Sequence, residues 1–305
     1  MKLAMVFPGQ GSQSVGMLKA YAGLPGVEET VAEARAALGD DFIRILDEGP
    51  ADRLTLTVNT QPAMVTAGCA AYRAWLAADG PKPDFVAGHS LGEYTALVAA
   101  EALSFADCLP LVRFRAQSMQ EAVPEGQGAM AAILMLEDEA VRAACAQAGG
   151  AVQAVNFNAP GQVVIAGEKA AVERAMEICK EKGAKRAMLL PVSAPFHSTL
   201  MRPAAEKLKG YLPKVKFSAP KISVVNNVDV AIETDPARIQ DALVRQAASP
   251  VRWVETIRRM VDSGVTHIVE CGPGKVLAGM TKRIAPGVKS LAAADRASLE
   301  EAIKC

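Results

Sequence analysis

Gly88, Ser90 and Gly92 form a Gly-x-Ser-x-Gly pentapeptide. This spacing puts a serine hydroxyl at the tip of a strand–turn–helix elbow. Glycine is needed at both flanking positions, because a side chain there would crowd the neighbouring strand or helix. The turn also aims the first amides of the following helix at whatever bonds to Ser90. Those amides lack intrahelical partners and carry the positive end of the helix dipole. A serine that attacks a carbonyl needs both features, an exposed hydroxyl and donors for the oxyanion it generates.

A serine hydroxyl is a poor nucleophile without a base. The chain offers three histidines, His89, His197 and His267. His89 adjoins Ser90, and adjacent side chains at an elbow point apart. His267 falls inside the apolar run 265–271 and reads as a packed strand residue. His197 closes the proline-flanked loop Ser193-Ala194-Pro195-Phe196-His197 and is the candidate base. A full triad would place an acid between serine and histidine in chain order. The acids between Ser90 and His197 lie mostly on predicted helices or in the region 126–191. None occupies an obvious loop after a strand of the main fold. A Ser–His dyad is expected, with the imidazole oriented by a backbone carbonyl or an amide side chain.

These residues require a scaffold. Residues 85–87 read as the end of a buried strand, and the alanine-rich run after Gly92 reads as a helix whose first turn suits Glu93 electrostatically. Neither His89 nor Glu93 needs a catalytic role. Residues 3–7 form another apolar run, entering Pro8-Gly9-Gln10-Gly11-Ser12-Gln13. That loop either simply joins strand to helix or turns its amides toward a bound anion. Thr60-Gln61-Pro62 predicts a helix start, with Thr60 as cap and proline in the first turn. Residues 63–77 are apolar nearly all round, so that helix should be buried. Ser104 to Asp107 open a further helix that carries Arg113 and Arg115.

Between Gly126 and Pro191 the pattern changes to strand, helix, two strands, helix, strand, the ferredoxin-like βαββαβ unit. Beyond it, residues 222–226 predict a strand and 265–271 a final parallel-type strand. Gly272-Pro273-Gly274-Lys275 then turns into the last helix, 276–284, without the spacing of a P-loop. Strands alternating with helices imply a parallel sheet covered on both faces. The expected fold class is α/β: a parallel-sheet, α/β-hydrolase-like large domain (1–125 and 192–305) with an inserted ferredoxin-like small domain (126–191).

Composition narrows the partners. Lys+Arg and Asp+Glu both number 33 among 305 residues, so nothing in the net charge favours nucleic acid or an anionic membrane. No charge-free stretch approaches the roughly 20 residues of a membrane helix. The start of the chain is too short for a signal-peptide core. The six cysteines form no CxxC pair and read as reduced, largely buried thiols of a cytoplasmic protein. No metal or nicotinamide site is apparent.

Phe7-Pro8-Gly9-Gln10-Gly11-Ser12-Gln13, Gly88-His89-Ser90-Leu91-Gly92-Glu93 and the loop ending at His197 occur in this order. With the βαββαβ insertion and Gly272-Pro273-Gly274-Lys275, the set resembles the malonyl-CoA:acyl carrier protein transacylase family over essentially the whole chain. The resemblance implies that Ser90 takes a malonyl group as an ester and that His197 acts as general base and then acid. It implies an oxyanion hole from the Gln10 and Leu91 amides, and pairing of Arg115 with the free malonyl carboxylate. It also implies that the Gln246 main-chain carbonyl orients His197 and that Gln61 lines the pocket. Phe196 before the base is similar to the malonyl-selecting pattern of polyketide acyltransferases, although Ser193-Ala194-Pro195 is not. The alternative is that Phe196 packs outward.

The implied substrates are malonyl-CoA and acyl carrier protein in fatty acid biosynthesis, with CoA as product and no permanently bound cofactor. The alternatives are a transacylase of malonate decarboxylation or polyketide assembly, or a Gly-x-Ser-x-Gly esterase or thioesterase. Acyl carrier proteins are acidic in general, so Lys185-Arg186 and Lys275, Lys282 and Arg283 are candidate docking cations.

Overall fold

The computed structural model describes residues 1–192 and 194–305; Ser193, in the loop before His197, lies outside the described residues. Among the described residues nine strands form two sheets: β1 Leu3–Phe7, β2 Phe85–Gly88, β3 Gly128–Leu134, β4 Val152–Ala159, β5 Gln162–Glu168, β6 Arg186–Leu189, β7 Ser223–Val224, β8 His267–Cys271 and β9 Lys289–Ala293.

The larger sheet has the order β7-β2-β1-β8-β9, with every neighbour pair parallel. All five β1 residues, Leu-Ala-Met-Val-Phe, are buried, as an unbroken apolar run in a sheet covered on both faces should be. Its register sets Phe7 beside Gly88, so the two strands end level. The loop Pro8-Gly9-Gln10 and the elbow at Ser90 therefore leave adjacent carboxyl ends of the sheet, where open α/β sheets gather their sites.

The smaller sheet has the order β6-β3-β5-β4, with antiparallel neighbours, the ferredoxin-like arrangement. Strand alternation separates its two faces. Ala131, Ile133, Val163 and Ile165 pack with Val172 and Met176 of the helix Lys169–Glu181 in a core of their own. Met130, Val164 and Ala166 point the other way and join the main core.

Three expectations need correction. The sheet does not end at β8. Lys289–Ala293 adds a parallel edge strand, followed by the helix Arg296–Ile303. A partly exposed Lys-Ser-Leu-Ala-Ala segment lacks the apolar alternation that marks a strand. The buried helix begins at Thr57 rather than Thr60 and runs to Ala77 with Pro62 in its second turn. Thr60 does not cap it; its hydroxyl donates to Leu54 O at 2.6 Å and Leu56 O at 3.2 Å. The 222–226 strand shrinks to Ser223–Val224, because the chain folds back there with Asn226 N–H bonded to Ala231 O.

Glycine at the elbow is a packing requirement. A Cβ on Gly88 would lie 1.8 Å from the Gly92 carbonyl carbon, and one on Gly92 would lie 2.1 Å from Phe7 O. Backbone cannot yield there as a side chain would. Gly92→Ala should therefore cost at least the 1–3 kcal/mol typical of overpacking, about 2–4 °C of melting temperature per kcal/mol at this size. Gly210→Ala, in the helix Arg202–Tyr211 with open space around the new methyl, should be neutral or slightly stabilising. Thermal unfolding of the two variants checks this. Equal melting temperatures would show that the elbow can relax.

Candidate active site

Strand β2 hands over to the elbow helix Gly92–Ala99 through His89-Ser90-Leu91. Ser90 sits at φ 52°, a left-handed conformation that a non-glycine residue holds only when its surroundings impose it. Two side-chain amides impose it. Asn227 accepts from Ser90 N–H at 2.7 Å and donates to Gly88 O at 2.8 Å. Gln246 donates through Nε2 to Ser90 O at 3.0 Å. The amides that close the turn belong to Gly92, Glu93 and Tyr94, bonded to His89 O, Ser90 O and Leu91 O. The Leu91 N–H lies outside that ladder. His89 turns away from the serine: its Nε2 meets Asn158 Oδ1 at 2.8 Å, and its ring lies edge-on to Trp253.

His197 faces Ser90. It is buried, at φ 65°, with Nε2 2.6 Å from Ser90 Oγ and Nδ1 2.9 Å from Gln246 O. A carbonyl only accepts, so Nδ1 carries the hydrogen and Nε2 presents its lone pair to the hydroxyl. Burial, and next the charge of Arg115, lower the His197 pKa to about 3. The ring is therefore neutral at physiological pH, with its Nε2 lone pair facing the Ser90 hydroxyl. No carboxylate bonds this imidazole among the described residues.

Arg115 comes from the helix Phe105–Glu121 and is 1 % exposed. Nη1 donates to Gln61 Oε1 at 2.8 Å; Nη2 donates to Gln246 Oε1 at 3.0 Å and to Ser90 Oγ at 3.1 Å. The Tyr94 ring lies 5.3 Å away, close enough for a cation–π contact. Nε has no partner, and among the described residues no carboxylate forms an ion pair with this guanidinium. A buried arginine solvated by amide oxygens, with its Nε–H unspent, is suited to an anionic ligand.

A cavity of about 120 Å³ lies over these atoms. Gln10, Gln61, Leu91 and Phe196 line it together with Ser90, Arg115 and His197, and Met130 and Asn156 of the smaller sheet form part of its wall. Phe196 is largely buried and touches both the cavity and the main core. Gln246 lies behind the cavity wall and acts on it through Arg115, Ser90 and His197. Gly9 lets the first loop approach: a Cβ there would meet His89 O at 2.5 Å. Of the candidate docking cations, Arg283 is engaged by Gln162 Oε1 and Pro160 O, whereas Lys185 and Arg186 are exposed at the β6 edge.

Sequence reasoning missed three contributors. Asn227, the Gln246 side chain and Glu93 form a buried layer behind the serine. Glu93 is not an acid facing the helix's free amides; it is buried, and burial raises its pKa to about 7. The one available signal was position: Asn227 follows a parallel strand at the carboxyl edge of the sheet.

Residues 4–299 match the family model for the acyl transferase domain. The malonyl CoA-acyl carrier protein transacylase of Salmonella typhimurium strain LT2 is 54 % identical over 305 residues, covering 99 % of each chain. The crystal structure of acyl-carrier-protein S-malonyltransferase from Burkholderia pseudomallei 1710b superposes with a TM-score of 0.98 at 64 % identity, over 100 % of both chains. A type II PKS acyl carrier protein in complex with its malonyl-transacylase gives 0.97 at 50 % identity, over 100 % of this chain and 99 % of that one. With its elbow serine, histidine and buried arginine in one cavity, and this likeness along its whole length, the chain belongs to the acyl transferase domain family, among the malonyl-CoA:acyl carrier protein transacylases.

Proposed function

We propose that this protein transfers the malonyl group of malonyl-CoA to the phosphopantetheine thiol of acyl carrier protein, in cytoplasmic fatty acid biosynthesis. The observation that carries the reading is the convergence of Ser90 Oγ on both His197 Nε2 and Arg115 Nη2. The histidine gives a transfer chemistry, and the arginine gives a reason to prefer an acyl group that bears a carboxylate.

The transfer has two halves. Ser90 Oγ attacks the thioester carbonyl while its proton passes to His197 Nε2. The oxyanion is received by the amides of Gln10 and Leu91. The intermediate collapses, the C–S bond breaks, and the departing CoA sulfur takes the proton from His197. The thiol of the carrier's arm then gives its proton to His197 and attacks the Ser90 ester. A second tetrahedral intermediate expels Ser90 Oγ, which regains the proton. Malonyl-CoA enters as substrate and CoA leaves as product. The Gln246 carbonyl keeps His197 in the required tautomer throughout.

Arg115 receives the malonyl carboxylate on its unspent Nε–H and on the Nη2–H now given to Ser90 Oγ, while Gln61 and Gln246 keep hold of the fork. Phe196 narrows the space beside the second malonyl carbon, disfavouring a branched acyl group. Residues 126–191 act as a domain that covers the cleft, contributing Met130 and Asn156. The exposed Lys185 and Arg186 offer an acidic carrier a basic landing point beside it. The same transfer to a polyketide carrier is a second reading, favoured by the similarity to the polyketide carrier complex.

The reading predicts that malonyl-CoA adds one malonyl group to the protein, on the Ser90 peptide, and that acyl carrier protein bearing its phosphopantetheine arm removes it. Intact-mass and peptide mass spectrometry check both steps. Label on a cysteine, or retained in Ser90→Ala, would refute the assignment.

Arg115→Ala should cost malonyl transfer about 100-fold or more, the effect of removing one partner of a buried charge pair. Acetyl transfer, with no second carboxylate to bind, should fall less than tenfold. Competition between malonyl-CoA and acetyl-CoA measures the ratio. Equal losses would make Arg115 a structural arginine.

A further inference from the structure

Glu93 is 2 % exposed, and one of its oxygens joins two distant stretches of chain. Oε2 accepts from the main-chain N–H of Asn227 at 2.9 Å and from Gln246 Nε2 at 2.9 Å. Each donor then reaches the reacting groups. Asn227 holds the Ser90 N–H and the Gly88 carbonyl. Gln246 holds Ser90 O, offers Oε1 to Arg115 and gives its main-chain carbonyl to His197. The serine backbone, the guanidinium and the imidazole are thus all held by two residues that meet at one carboxylate oxygen.

The carboxylate also decides which way the Gln246 amide faces. If that amide were flipped, its NH₂ would oppose the Arg115 donors. Its carbonyl would then oppose Ser90 O and Glu93 Oε2, acceptor against acceptor. Oε2 already accepts from the Asn227 main-chain N–H and acts as an acceptor whether or not the other oxygen carries a proton, so Glu93 favours the orientation that gives Arg115 an acceptor and Ser90 O a donor. A capping role does not explain the side chain. The Glu93 N–H is already bonded to Ser90 O, and its Oε2 bonds Asn227 N–H and Gln246 Nε2, not an amide of the helix's first turn.

We propose that Glu93 is a positioning residue for the transfer, fixing the Ser90 backbone, the Arg115 fork and the His197 ring through Gln246 and Asn227. This rests on the reading that Ser90 and His197 carry the malonyl transfer.

Steady-state and single-turnover acylation by malonyl-CoA and acetyl-CoA test it, with folding followed by circular dichroism and thermal unfolding. Glu93→Ala should lower kcat about 100-fold for both substrates, the loss expected when reacting groups move by about 1 Å. KM should stay within threefold. Glu93→Gln keeps an acceptor oxygen at the same reach and should recover at least tenfold of that loss. Gln246→Met keeps the main-chain carbonyl and removes all three side-chain amide contacts. It should reproduce the kcat loss, and it carries the test if Glu93→Ala does not fold. The proposal is overturned if a folded Glu93→Ala or Gln246→Met stays within threefold of wild type in kcat, if Glu93→Gln is as impaired as Glu93→Ala, or if the loss appears in KM alone. Failure of the wild-type protein to acquire malonyl on Ser90 would instead overturn the transferase reading itself.

Discussion

The site depends on one positive charge held out of water. Arg115 is the only buried lysine or arginine among the described residues, and no carboxylate pairs with it. Unpaired buried charge is costly. Here the cost is offset by Gln61 Oε1, Gln246 Oε1, Ser90 Oγ and the face of Tyr94. These dipoles solvate the guanidinium without neutralising it, so its attraction for an incoming carboxylate is retained. The same charge helps keep His197 unprotonated, which is the state a general base must have before the reaction begins. In the proposed transfer, substrate selection and readiness of the base thus share one physical origin.

The absence of an acid behind His197 follows from this arrangement. A carboxylate at Nδ1 would stabilise imidazolium in the resting protein and pair electrostatically with Arg115, weakening both effects. The Gln246 carbonyl fixes the tautomer without adding charge. The nearest buried carboxylate, Glu93, is separated from Arg115 by the Gln246 side chain. Strained backbone at Ser90 and His197 is held by these amide contacts and by the interlocked glycines of the elbow, which bring β1, β2 and the elbow helix into backbone contact.

The elbow was legible because glycine spacing reports backbone crowding directly. His197 was legible because only three histidines compete and two have ordinary local explanations. The inserted sheet was legible from strong alternation and glycine-ended helices. The buried amide layer was not. Gln246 sits in an amphipathic helix and looks like any polar residue there. Asn227 looks like a turn residue, and Glu93 like a first-turn acid. They come together through contacts 134 and 153 residues apart along the chain, which local pattern does not encode. β9 was missed for the opposite reason: its pairing comes from the edge of β8 and not from its own composition.

The most direct test of this account is the state of the His197 ring. Nitrogen NMR of the ¹⁵N-histidine-labelled protein, assigned with His197→Gln, should show a neutral imidazole with hydrogen on Nδ1 from pH 8 down to pH 5. Its titration should move to higher pH in Arg115→Gln, where the repelling charge is gone. A ring that protonates near the ordinary histidine value in the wild-type protein, or one that carries its hydrogen on Nε2, would contradict the account.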